Sequence, residues 1–215
     1  MKMYVFVFNG KPKKYMFDKS DRKKIAFPPT FTKKLFVSPA NFSTSSCIDE
    51  LKKFHELVDI NTVDLIFFPV IIQRHWVLIC LNVLYKKLNF LESVKLTSED
   101  DIQRIFRNLA TNFSSTCSEA NIFPTSIQLF QYCLPCNYPY EHTVNETRRG
   151  ISLDCGFYCI LYMDCWDGLK MRDFDETVVQ DYRKIISYKI YYSSMNKNRP
   201  INATSLRHTS PRTKK

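Results

Sequence analysis

Glycine is scarce in this chain, 4 among 215 residues. That argues against a collagen-like repeat and against a protein built on glycine-rich loops. Long apolar runs are missing as well. The longest, Leu65–Ile72 and Trp76–Leu81, are separated by Gln73, Arg74 and His75, whereas a helical membrane span needs about 20 apolar residues. Tyr4–Phe8 is too short for the apolar centre of an export signal. The chain is therefore expected to be soluble and to work inside the cell, in nucleus or cytoplasm, without membrane contact. Matches to Asn-X-Ser/Thr, such as Asn145-Glu146-Thr147, then carry no weight. Acid is nearly absent from the two ends. Residues 1–34 hold 10 Lys/Arg against 2 Asp, and residues 193–215 hold 6 Lys/Arg and no acid, so the body between them is net −4 although the whole chain is +10. This distribution weakens any reading of the folded body as a nucleic-acid-binding surface. The basic ends read as solvating or targeting segments, with nucleic-acid contact the lesser alternative.

What is present is ordinary globular material, 45% hydrophobic and 24% charged, enough for one sizeable core. The 8 cysteines, in a chain read as intracellular, favour catalysis, metal binding or plain burial over disulfides.

Asn9-Gly10 signals a hairpin, and the Lys-rich stretch "DRKKIAFPPTFTKK" reads as a loop. Ser46 opens a helical pattern with Ile48, Leu51, Phe54 and Val58 on one side. Three strand-like pieces follow, Val63–Ile72, His75–Leu84 and Leu88–Glu92, with "LYKK" as a tight reversal between the last two. Ser98 starts a second amphipathic helix carrying Ile102, Ile105, Phe106, Leu109 and Phe113. Ser126–Cys133 is a further candidate strand, and residues 134–150 form a polar loop. Gly156–Trp166 is apolar nearly all round, which predicts a buried helix, with Gly168 suited to its C-terminal cap. Asp173 and Glu176 resemble a capping box before a last helix with Val178, Tyr182, Ile185 and Ile186 on its apolar side. The reading is one α+β domain over residues 35–192: a small antiparallel or mixed sheet with a buried central helix. A basic hairpin/loop segment (1–34) precedes it and a basic, disordered tail (193–215) follows.

The chemistry centres on "LDCGFYCILYMDCWDG", where Cys155 falls at the expected start of the buried helix. Unpaired N–H groups at a helix start favour a thiolate, the nucleophilic form of cysteine. Gly156 leaves room beside the sulfur. A histidine held near a strand should serve as its base. Of the 4 histidines, His208 is in the tail, His142 in a polar loop and His55 on a surface helix; His75 heads an apolar strand and is the best placed. If the strands at 75–84 and 86–93 form a hairpin, the end of the second returns near His75, and the carboxylate there is Glu92.

"HWVLICLN", Glu92 17 residues after the histidine in "LNFLES", and the Asp-Cys-Gly stretch, in that order, resemble the Ulp/SENP family of ubiquitin-like-protein cysteine proteases. "KKLFVSPANFS", "FFPVII" and "YMDCWDG" resemble plant, often transposon-associated, members. The resemblance covers about residues 33–190. It implies a papain-like cysteine peptidase fold and cleavage after a Gly-Gly terminus of SUMO or a related modifier. It also implies that His75 is general base and then acid, Cys155 the nucleophile, Glu92 the orienting carboxylate and Trp76 part of the substrate tunnel. A glutamine shortly before the cysteine supplies an oxyanion donor in that family. Arg149 stands six residues before Cys155 here, and Asn145 is the other candidate. The family's orienting aspartate is replaced by Glu92, and its upstream tunnel tryptophan has no match. No cofactor is implied. The expected partner is a SUMO-type protein or its conjugates, met by a monomer. A second hypothesis keeps the fold but not the turnover: a weak or inactive member acting as a protein-binding module. Cys133 and Cys136, with His142 beyond, could form a zinc site. Pro135 inside the pair and the apolar setting of Cys155 and Cys159 weigh against it, so no metal is expected, and Cys159 and Cys165 are read as core thiols.

Overall fold

The computed structural model describes residues 22–94, 96–122, 131–133, 154–172, 174 and 176–192. Its sheet has the order β1-β2-β3-β4-β5, formed by β1 (Lys24–Ala26), β2 (Leu65–Ile72), β3 (His75–Asn82), β4 (Lys87–Leu91) and β5 (Gln131–Cys133). The central three strands form an antiparallel meander, and β1 and β5 pair in parallel on its two sides. The helices are α1 (Pro29–Leu35), α2 (Ser45–Leu57), α3 (Glu99–Ala120), α4 (Cys155–Cys165) and α5 (Glu176–Tyr191). The expected α+β architecture, a small mixed sheet with a buried central helix, is the one observed.

Period-2 alternation splits the sheet between two cores. Ile66, Phe68, Val70, Val77, Ile79, Leu81 and Phe90 face α1, α2 and α3, meeting Phe31, Leu35, Leu51, Phe106 and Phe113. Leu65, Phe67, Leu78, Cys80 and Leu91 face α4 and α5, meeting Tyr158, Leu161, Tyr162, Trp166 and Tyr182. The near-continuous apolar β2 and β3 are thus covered on both faces, as a run of that kind requires. Pro69 is tolerated inside β2 for a geometric reason. Phe67 accepts a hydrogen bond from Phe27 N–H on the β1 side, so Pro69, two residues on, turns its nitrogen to that same side. Pairing with β1 has ended there at Phe67, and the missing N–H leaves no partner stranded.

The Ser98 start of α3 is observed: its hydroxyl accepts from Asp101 N–H. This helix runs on past Phe113 and ends on left-handed Asn121 (φ 56°). The strands at residues 65–91 match the expected ones within about two residues.

Four readings change. The stretch read as a loop holds β1 and α1, so the division drawn at residue 34 runs through a helix. Pro29 sits in the first turn of α1, where a missing N–H is harmless, and Phe27, Phe31 and Leu35 are fully buried. Helix α2 begins at Ser45 after Thr44, not after Ser46. In the last helix the core is reached by Val179 as well as Tyr182 and Ile186. Finally, Gly168 does not cap α4. The chain turns extended at Trp166, which bridges to Met171. The orphan carbonyls of the last turn are satisfied by other groups: those of Met163 and Asp164 accept from the buried Lys24 ammonium at 3.3 and 3.4 Å, and that of Cys165 accepts from Arg172 N–H. Lys24 is therefore buried as a helix cap, a cation at the negative end of the macrodipole. Gly168 adopts φ +96° two residues farther on, and its carbonyl accepts from buried Asn82 at 2.6 Å.

The Asn9-Gly10 hairpin, residues 134–150, Asp173 and the basic tail lie outside the described residues. No described helix is long and apolar enough to cross a membrane.

The turn before His75 is strained. Gln73 and Arg74 both have positive φ, 48° and 68°, the geometry of a two-residue type I′ hairpin that favours Asn-Gly. Replacing the pair by Asn-Gly is expected to stabilise the fold by about 1 kcal/mol, because side-chain-bearing residues other than Asn and Asp resist this region. A raised urea midpoint with unchanged slope would show it.

Candidate active site

The meander brings the first two candidate residues together. Leu78 pairs with Leu91, so the chain leaving β4 runs beside the first residues of β3. Glu92 follows directly, and its Oε1 lies 3.9 Å from His75 Nε2. Both residues are buried, at 8% exposure. Their separation is an ion-pair distance rather than a hydrogen bond, and His75 Nε2 has no hydrogen-bond partner among the described residues. Burial pushes the His75 imidazole below the usual histidine range. It pushes the Glu92 carboxyl up, against hydrogen bonds from Thr97 and Leu96 that pull the other way.

Trp76 points to the opposite side of β3, onto α4. A Cβ placed on Gly156 would lie 3.4 Å from Trp76 Cδ1 and 3.6 Å from its Nε1. The residue after His75 thus packs against the residue after Cys155. Cys155 itself opens α4, as read from the sequence, after Asp154, where the first N–H groups of a helix lack intrahelical acceptors. Arg183 of α5 pairs with Asp154 at 3.0 Å and lies 5.7 Å over the Phe157 ring, tying α5 to this helix start. With its side chain half exposed, that pair is worth at most about 1 kcal/mol.

Among the described side chains the other thiols lie in the core. Burial pushes Cys47, Cys80 and Cys117 up, the last to about 12. Cys159 and Cys165 are buried farther along α4, in the core. Arg149 and Asn145 lie outside the described residues, as do Cys136 and His142. Among the described residues, no group of three or more His, Cys, Asp or Glu is placed to hold a metal.

Thr97 escaped sequence reasoning. It is buried, and its hydroxyl donates to Glu92 Oε1 at 2.9 Å. A neutral residue in a loop carries no sequence signal for such a contact; the one available hint was its position directly before the Ser98 helix start.

A mixed sheet with a cysteine at the start of its buried helix, and a histidine–carboxylate pair at one strand end, defines a thiol-peptidase class of fold. The family comparison agrees: residues 3–195 match the Ulp1 protease family, C-terminal catalytic domain. The chain belongs to that family and is a cysteine-type peptidase. Among solved structures it is similar to the C-terminal Ulp1 protease domain in complex with Smt3, the yeast ortholog of SUMO, with TM-score 0.53, 16% identity, and coverage of 87% of this chain and 73% of that one. It is similar also to the SUMO protease Ulp1 with its catalytic cysteine oxidised to a sulfonic acid, with TM-score 0.56, 16% identity and the same coverage. At such identity the likeness is one of fold. No curated protein matches the chain in sequence.

Proposed function

We propose that this chain is a peptidase or isopeptidase that cleaves after the Gly-Gly terminus of a SUMO-type modifier, using His75, Glu92 and Cys155 as its triad. The observation that supports it best is the double contact at the head of β3: Glu92 beside His75 on one side, and Trp76 against Gly156 on the other. With Nε2 turned to Glu92, Nδ1 is the nitrogen that this reading assigns to the Cys155 sulfur. Catalytic hydrogen bonds are often long until substrate arrives, so 3.9 Å fits a pair that tightens on binding.

In this mechanism the Cys155 thiolate attacks the carbonyl carbon of the terminal glycine. The tetrahedral oxyanion is met by the Cys155 N–H and by an amide or guanidinium from Asn145 or Arg149. His75, as imidazolium, protonates the leaving amine, and the C–N bond breaks to leave a thioester. Water, deprotonated by His75, then releases the modifier and regenerates the thiol. Glu92 holds the imidazole and stabilises its charged form. Trp76 roofs the narrow path that two glycines can pass. The work is done by a monomer in nucleus or cytoplasm. A second reading, a binding module with little turnover, is favoured by one feature: Arg149 stands where the family has glutamine.

The test is labelling with SUMO and with ubiquitin, each carrying a C-terminal thiol-reactive electrophile. A covalent SUMO adduct is expected, with ubiquitin much slower. Labelling by ubiquitin alone would overturn the substrate assignment. A folded protein that labels with neither, yet binds SUMO, would make the binding module the correct account.

A further inference from the structure

Glu92 is held by more than its ion pair. Its side chain is 3% exposed. Oε1 accepts from the Thr97 hydroxyl at 2.9 Å and, at a longer 3.4 Å, from Leu96 N–H; Oε2 accepts from Thr97 N–H at 3.4 Å. We propose that Thr97 is a positioning residue of this active site: its hydroxyl, with the two loop amides, forms a clasp that fixes the Glu92 carboxylate beside His75. The proposal rests on the triad assigned above and adds to it the part that aims its third member.

The need for a clasp follows from the glutamate. It has one more rotatable bond than aspartate, and its carboxylate lies a C–C length, roughly 1.5 Å, farther from the backbone. Left free, that longer arm would sample several rotamers beside the imidazole, and one hydrogen bond to His75 would not select among them. Three donors from the segment entering α3 do. They also oppose burial, which on its own favours the neutral acid. A neutral Glu92 would no longer stabilise an imidazolium. Among the described residues, His75 is the one titratable side chain within ion-pair distance of Glu92, and the clasp donors are uncharged. Among the described residues, His75 and the clasp are thus the groups that favour charge on Glu92 against burial. Thr97 precedes Ser98, whose hydroxyl caps α3, so the clasp is anchored to a long helix whose apolar face is buried.

The experiment compares the full chain with Thr97→Val and Thr97→Ser, reading SUMO-electrophile labelling across pH. Thr97→Val removes a hydrogen bond to a charged group and is expected to slow labelling roughly tenfold or more. It should also move the acidic limb of the profile to higher pH, because Glu92 then stays neutral over a wider range. Thr97→Ser should restore both. In a Glu92→Gln background, which has no carboxylate to hold in charged form, the shift of the limb should vanish. Carbon NMR of the Glu92 carboxyl provides a readout independent of turnover: its titration should move up in Thr97→Val and return in Thr97→Ser. An unmoved Glu92 titration and an unmoved pH profile in Thr97→Val would overturn the clasp. Equal loss in Val and Ser variants, accompanied by a lower melting temperature, would also overturn it by making Thr97 a packing residue. Absence of labelling in the wild-type chain, with the Glu92 titration still responding to Thr97→Val, would count against the substrate reading and uphold the clasp.

Discussion

Replacing Cys155 by alanine is expected to lower peptidase turnover by on the order of 10⁶, the scale seen when a triad hydrolase loses its nucleophile. Stability should hardly change. Cys155 is buried at 6% exposure but stands at the first position of α4, and trimming one sulfur there removes little packing. Alanine is also the best helix former. The contrast with its neighbours sharpens the test. Cys159 and Cys165 lie on the same helix, buried at 3% and 5%. Their alanine variants should destabilise by about 1 kcal/mol through lost contacts and should keep labelling and turnover. Kinetics on the three variants, with urea melts beside them, separate a nucleophile from core thiols. If Cys159→Ala were the silent variant and Cys155→Ala the active one, the assignment of the nucleophile would be wrong.

The largest structural effect is expected from Phe27→Ala. Phe27 is 1% exposed. It stacks on Phe31 (4.5 Å between ring centroids) and on Phe68 (5.3 Å), and meets Phe54 and Phe113 edge-on at 4.9 and 5.7 Å. One ring thus joins α1, α2, α3 and β2. Its removal should cost about 3–5 kcal/mol, since the surrounding rings cannot all close on the void. For a chain of this size that is a fall in melting temperature of roughly 6–20 °C. The segment it anchors is also held by Asn112, whose side-chain amide donates to the Leu35 and Val37 carbonyls at 2.9 and 2.8 Å. Phe27→Leu, which keeps most of the volume, should lose much less. Thermal unfolding of both variants checks the prediction; a near-neutral Phe27→Ala would mean that residues 24–35 contribute little to the core.

That same segment shows why sequence legibility was uneven. The meander and α4 could be read from near-continuous apolar runs, and α3 and α5 because their apolar residues repeat at helix period. β1 has three residues, too few to show a period, and Lys24 inside it carries a charge that reads as exposed. The carbonyls ending α4, 139 and 140 residues away, give that lysine partners in the core. Pro28-Pro29 lies in the stretch read as a loop, while the second proline in fact begins a helix. The His75–Glu92 contact was legible because topology alone decides it: a hairpin must return its second strand near the start of the first. Thr97 was not, because its role depends on how a loop folds back by five residues. Arg149 and Asn145, the oxyanion candidates, remain proposals from the motif.

The sheet order also sets a timetable. β2, β3 and β4 are joined by short turns, so their contacts are local, and low contact order favours early formation. His75 and Glu92 both belong to that early unit. Cys155 follows Glu92 by 63 residues, roughly 3–13 s later on a ribosome adding ~5–20 residues per second. In the proposed triad the base and its carboxylate would thus be made before the nucleophile, and docking of α4 on the open face of the meander would complete the site. On that assignment a nascent chain has no nucleophile at this site until residue 155 has been added.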